Sequence, residues 1–105
     1  MTDARLVLTT CGDRARAETL ARVLVEERLA ACVNLLPGVR SIYRWEGALE
    51  QTDEVLLVIK TTRAAYPALA ARVTALHDYE VPELLAVDVA EGSAAYLGWL
   101  GESTG

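Results

Sequence analysis

One stretch constrains this chain more than any other: residues 31–62, ACVNLLPGVRSIYRWEGALEQTDEVLLVIKTT. Two apolar runs rich in β-branched and aromatic residues flank a turn near Trp45-Glu46-Gly47, the pattern of a β-hairpin. With arms of about 13 residues each, the hairpin reaches roughly 43 Å at ~3.3 Å per residue, more than twice an ordinary strand. The other strand-like runs, 5–10 and 84–89, are short. They can pair with only part of such a hairpin, so its remaining edge must find a partner elsewhere.

The two arms differ. Pro37-Gly38 interrupts the first, and proline cannot donate to a ladder, so this arm belongs on an edge or at a bulge. The second climbs from Glu50-Gln51-Thr52-Asp53-Glu54 into the continuous apolar run Val55-Leu56-Leu57-Val58-Ile59. Such a run reads as a strand buried on both faces or at the centre of a sheet. Elsewhere, Asp13 after Cys11-Gly12 is placed to cap a helix over 14–29, with Ala17, Leu20, Ala21 and Leu24 on one stripe. A second helix starts no earlier than Arg63, because Pro67 must lie in its first turn, and ends at His77-Asp78. Tyr79-Glu80-Val81-Pro82 is an extended connector, and Gly92-Ser93 opens a short helix with Tyr96, Leu97 and Leu100. Residues 102–105 read as a frayed tail.

Strand, helix, strand, strand, helix, strand and a terminal helix define an α+β chain. With right-handed crossovers and one antiparallel sheet, this is the ferredoxin-like βαββαβ sandwich, with a long hairpin between its second and third strands. Its strands lie in the spatial order fourth, first, third, second. That order puts the proline-bearing arm on an edge and the apolar arm in the middle. All 105 residues fit a single domain, 1–105, able to bury a core without disulfides.

Composition narrows the partners. A net charge of −5 argues against a nucleic-acid backbone, which would want a basic face. No apolar run approaches the ~20 residues that span a membrane, and Met1-Thr2-Asp3-Ala4-Arg5 offers no apolar leader, so a cytoplasmic protein is expected. Cys11 and Cys32 form neither a CxxC pair nor a zinc-ribbon spacing and are expected to stay reduced. They fall at opposite rims of the sheet, too far apart for the ~7 Å a disulfide allows between Cα atoms.

The blocks LAACVNLLPGVRSIYRWEG, EVLLVIKTT, LHDYEVPELL and a terminal YLGWL, in this order, resemble the CutA family of divalent-cation tolerance proteins over nearly the whole chain. The resemblance implies a ferredoxin-like subunit related in fold to PII signalling proteins, packed as a homotrimer through its long hairpins. It implies tolerance to copper and other divalent cations, with metal binding and no established enzymatic reaction. Some members are described as binding copper through a cysteine in the first strand and histidines at the end of the second helix. His77 matches one such histidine; Leu76 stands at the other, and Thr9 at the cysteine position, with Cys11 slightly beyond it.

The residues that carry chemistry are few. Cys11 and His77 gather near one rim with Asp13, Asp78 and Tyr79, and with Cys32 they are the candidate metal ligands. His77 is most simply accounted for as a favourable charge at a helix C-terminus, with the ligand role as the alternative. Ile42, Tyr43, Trp45 and Leu49, near the hairpin tip, are the candidate trimer interface. Lys60, the sole lysine, reads as a strand-end charge facing a carboxylate or as a reactive amine, and with Tyr79 it marks a candidate ligand cleft. Glu46, Glu50, Asp53 and Glu54 read as a solubilising run along an exposed edge. No Ser/His/Asp order, P-loop or GxGxxG is present, so no enzyme is expected. The expected function is a trimeric divalent-cation tolerance protein that binds copper or another divalent cation weakly and requires no cofactor. The alternative is a PII-like regulatory trimer holding a small molecule or protein partner in clefts between subunits.

Overall fold

Chain order in the computed structural model, which describes residues 2–105, runs β1 (Ala4–Cys11), α1 (Arg14–Glu26), β2 (Cys32–Trp45), β3 (Ala48–Thr62), α2 (Tyr66–Leu76), β4 (Leu85–Asp88) and α3 (Ala94–Glu102). The four strands form one sheet in the order β2-β3-β1-β4, every neighbouring pair antiparallel. This is the ferredoxin-like arrangement expected from the alternation of strand and helix patterns. The proline-bearing arm lies on the edge and the apolar arm lies inside.

β2 and β3 pair from Cys32↔Lys60 out to Trp45↔Ala48, and the register shifts once, between Leu36 and Val39. The shift falls on Pro37-Gly38. Pro37 cannot join the ladder, and Gly38 takes the left-handed φ of 79° that the bulge requires. At the far end, Glu46 and Gly47 both have positive φ, 49° and 80°, the conformation of a tight two-residue hairpin turn. The hairpin sets the molecule's long axis, 44 Å against 25 and 23 Å across it.

β1 reaches only part of this length. Ala4 pairs with Thr62 and Cys11 with Val55, so 48–54 of β3 overhang the sheet with β2 as their sole neighbour in the subunit. Helices α1 and α2 cover one sheet face, where Val7, Leu57, Ile59, Leu24, Leu69 and Val73 are fully shielded from solvent. On the other face α3 packs only at the Ala4 end, where Ala4 and Leu100 are buried together, and Leu6, Leu8, Leu56 and Val58 remain half-buried. The apolar run in β3 is therefore central in the sheet, as expected, but buried on one face only within the subunit.

Three local features differ from the sequence reading. α1 stops at Glu26, short of Leu29, because Arg28 adopts φ 61°. The Leu29 N–H then donates to the Leu24 carbonyl at 2.9 Å and the Arg28 N–H to Val25 at 3.1 Å, a Schellman ending with arginine in the usual glycine place. Residues 102–105 are docked, not frayed: Glu102 belongs to α3, the Gly105 N–H donates to Arg28 O at 2.9 Å, and the Arg28 guanidinium donates to the Gly105 carbonyl at 2.8 Å. Lys60 meets no carboxylate; it donates to the Asn34 side-chain carbonyl and lies 3.9 Å from Cys32 Sγ. The caps are as read, with Asp13 Oδ1 accepting from the Arg16 N–H at 2.8 Å and Ser93 Oγ from the Tyr96 N–H at 3.2 Å.

Candidate functional site

β1 ends where α2 runs out, and this brings Cys11, Asp13, His77, Asp78 and Tyr79 together at one rim. The side chains there are already occupied. His77 caps the end of α2 with its ring almost wholly enclosed, at 1% exposure. Its Nδ1 accepts the Tyr79 N–H at 3.1 Å, which leaves Nε2 to carry the proton and donate to the Thr10 carbonyl at 2.6 Å. Both nitrogens are thus engaged in a neutral ring, and a metal would have to displace one of these bonds. The ring also packs on Tyr79, centroids 4.6 Å apart.

Cys11 is buried, and that burial, followed by the negative fields of Asp78, Asp13 and Glu54, pushes its thiol up from 9.0 to about 11. At neutral pH it is a protonated core thiol, whereas metal binding and nucleophilic attack need the thiolate. The two carboxylates available to complete a cation site are bridged by Arg16, whose Nε lies 3.3 Å from Asp13 and whose Nη1 lies 3.0 Å from Asp78. Among the described residues no group of three or more His, Cys, Asp or Glu side chains comes together to hold a metal ion. Cys32 lies at the opposite end, half-buried beside Lys60, and both cysteines are free.

The same rim opens onto a groove of about 640 Å³ on the uncovered side of the sheet, between the hairpin and the connector that follows α2. Tyr43 and Trp45 form the hairpin wall, Tyr79 and Glu80 the connector wall, and Glu54 lies between them. The Tyr79 hydroxyl donates to Glu54 Oε2 at 2.7 Å. Burial, and then this bond to a carboxylate, raise the phenol well above its usual range, so it stays a donor. Tyr79 therefore lines the groove as a cleft residue, while Lys60 sits at the far end of β3 and does not line it.

Glu54 is the residue the sequence reading missed. It belongs to the acidic run yet is only 8% exposed, whereas its neighbour Asp53 is open to solvent. The available signal was its position as the last acid before the apolar run. Ile42 and Leu49 at the hairpin tip are 64% and 69% exposed, and Tyr43 and Trp45 about two-fifths exposed. The subunit itself leaves these four uncovered, Tyr43 and Trp45 on one face of the hairpin and Ile42 and Leu49 on the other.

Fold and surface define a class: a ferredoxin-like subunit with an overhanging hairpin and an open sheet face. The family model described as CutA1 divalent ion tolerance protein matches residues 5–103. The divalent-cation tolerance protein CutA of Thermus thermophilus is 54% identical over 100 residues, 95% of this chain and 97% of that protein. Human Protein CutA is 46% identical over 95 residues, 90% of this chain but 53% of the longer human protein. The crystal structure of CutA from Xylella fastidiosa has a TM-score of 0.96 at 46% identity, covering 99% of this chain and 100% of that one. This chain belongs to the CutA1 divalent ion tolerance family.

Proposed function

We propose that the chain acts in the cytoplasm as a homotrimeric, non-enzymatic divalent-cation tolerance protein that binds copper or another divalent cation weakly. The overhang of β3, with Ile42, Tyr43, Trp45 and Leu49 exposed at its end, is the observation that carries the assembly. An apolar surface on an unpaired strand edge is an aggregation hazard, and closing a ring of copies removes it. Family membership supports the tolerance role. Weak binding follows from the donors: Cys11 and His77 must first give up burial and hydrogen bonds, and half-buried Cys32 stands beside a cation. Light scattering at micromolar concentration should give three times the subunit mass. Calorimetric titration of copper and zinc should show exchangeable binding, weakened by Cys11→Ser, His77→Ala or Cys32→Ser. A single-subunit mass overturns the assembly. Tight binding untouched by all three variants overturns the ligand set.

A second reading is favoured by the groove beside Tyr79 and Trp45. In it the trimer is regulatory and holds a small molecule in clefts bordering the subunit interface, with Tyr79 as one wall and Lys60 available only from a neighbouring copy. Ligand-dependent thermal stabilisation of the metal-free protein tests it.

A further inference from the structure

We propose that Arg28 is the latch of a strap: α3 and residues 103–105 open as one unit while the rest of the subunit stays folded, and the Arg28 guanidinium sets how often. Arg28 stands at φ 61°, one of two non-glycine residues at positive φ among the described residues. It ends α1 in the place that glycine fills without strain. A non-glycine residue keeps such a conformation only where its surroundings over-determine it. Here those surroundings are residues 102–105. Nε donates to the Gly105 carbonyl at 2.8 Å and Nη2 to the Glu102 carbonyl at 2.5 Å. The Arg28 carbonyl in turn accepts the Gly105 N–H at 2.9 Å. The planar fork thus takes up Glu102 O, which the end of α3 leaves without a helical partner.

Packing alone holds α3 weakly. Leu100 is its one buried side chain, resting on Ala4 and Ala31 with Leu97 and Val89 half-buried around it. Tyr96 and Trp99 stack on each other at the surface, ring centroids 5.4 Å apart. A cavity of about 320 Å³ lies between α3 and the start of β1, where Gly98 and Gly101 present no side chain to fill it. Few buried contacts put a segment at the low-stability end of a fold. A nine-residue helix carrying two glycines does not persist undocked, so release and melting of α3 are one event. Opening uncovers Ala4 and Ala31 at the root of the hairpin, where the Ala31 N–H meets the Lys60 carbonyl at 2.9 Å. The strap therefore covers the opposite end of the hairpin from the tip residues assigned to the subunit interface.

The test is native-state hydrogen exchange of the full chain, read by mass spectrometry, for the parent, Arg28→Gly and Arg28→Met. Glycine deletes the fork and relieves the strain, so α1 keeps its ending. Methionine deletes the fork and keeps the strain. In both variants the amides of residues 97–105 should exchange at least about tenfold faster, while β1 and α2 stay close to the parent's protection. Unchanged exchange of α3 in Arg28→Gly overturns the proposal, because the arginine would then serve only to end α1. A rise in Arg28→Gly alone overturns it too, tracing the effect to backbone freedom at residue 28. So does an equal rise in β1 and α2, which would make Arg28 a contributor to global stability and α3 no separate unit. Light scattering on the same samples should give one mass for all three proteins. A variant that differs in mass would place the effect in the assembly and overturns the latch as well.

Discussion

The two halves of β3 are made of consecutive residues and obey different physics. Residues 55–60 lie between β1 and β2, under both helices, with Val55, Leu57 and Ile59 buried. Residues 48–53 pair with β2 alone, and no helix lies over them. The inner half draws its stability from the subunit's own core. A two-stranded hairpin by itself is marginal in water, so the outer half owes its order to the inner half and, in the proposed ring, to neighbouring copies. Apolar residues occur in both halves. What differs is which surface exists to bury them.

Leucine-to-alanine changes at the two ends should separate these contributions most sharply. Leu57 is fully enclosed, and Leu57→Ala should cost about 2–5 kcal/mol by leaving a cavity in a close-packed core. For a domain of this length that is a fall in melting temperature of roughly 10 °C or more. Leu49 is 69% exposed in the subunit, and Leu49→Ala should change subunit stability by no more than about 0.5 kcal/mol while weakening assembly. The measurement is thermal melting beside light scattering, across a range of protein concentrations. Equal destabilisation by both changes, independent of concentration, breaks the distinction between the halves.

Trp45 sharpens it from the other side. The residue sits at the last β2–β3 pair, opposite Ala48, and is about two-fifths exposed. If it anchors a neighbour, Trp45→Ala should cost roughly 2 kcal/mol per interface, repeated around the ring, and should show first as dissociation on dilution. A variant that stays trimeric and melts like the parent would confine Trp45 to the groove wall.

Much of this was legible in the sequence, because it is written in periodicity and in residues with strict backbone demands. The strand order follows from alternation and handedness, the bulge from Pro37-Gly38, and the tight turn from Glu46-Gly47. The illegible parts depend on pairings between distant side chains. Nothing near Arg28 shows that its guanidinium will hold the carbonyls of Glu102 and Gly105, and so let a left-handed arginine end α1. Nothing near Glu54 shows that Tyr79 will fold over it. The rim was legible as a gathering of Cys11, Asp13, His77 and Asp78. That Arg16 bridges the acids and that Thr10 and Tyr79 engage both imidazole nitrogens was not. Proximity follows from topology, while availability follows from hydrogen bonds that only coordinates reveal.

Cys11 marks the boundary between the two halves, pairing with Val55 where β1 stops, and its thiol reports whether that boundary is dry. Burial, then the fields of Asp78, Asp13 and Glu54, hold its folded pKa at about 11 against 9.0 for a free thiol. The folded state thus favours the protonated thiol. The associated stability is fully present below pH 9.0, and it is lost as pH rises from there through about 11. Around pH 7, well below that window, Cys11 should give stability no dependence on pH. Denaturant midpoints at pH 8.5 and 10.5, for the parent and Cys11→Ala, check this: the parent should lose more stability over the interval than the variant. In the native state a thiol reagent at mildly alkaline pH should label half-buried Cys32 well before Cys11, because reaction requires both access and thiolate. Rapid labelling of Cys11 in the intact fold, with no difference between parent and variant in their pH dependence, would mean that water reaches the end of β1. The core would then stop short of Val55, and the break between the two halves of β3 would lie further inside the subunit.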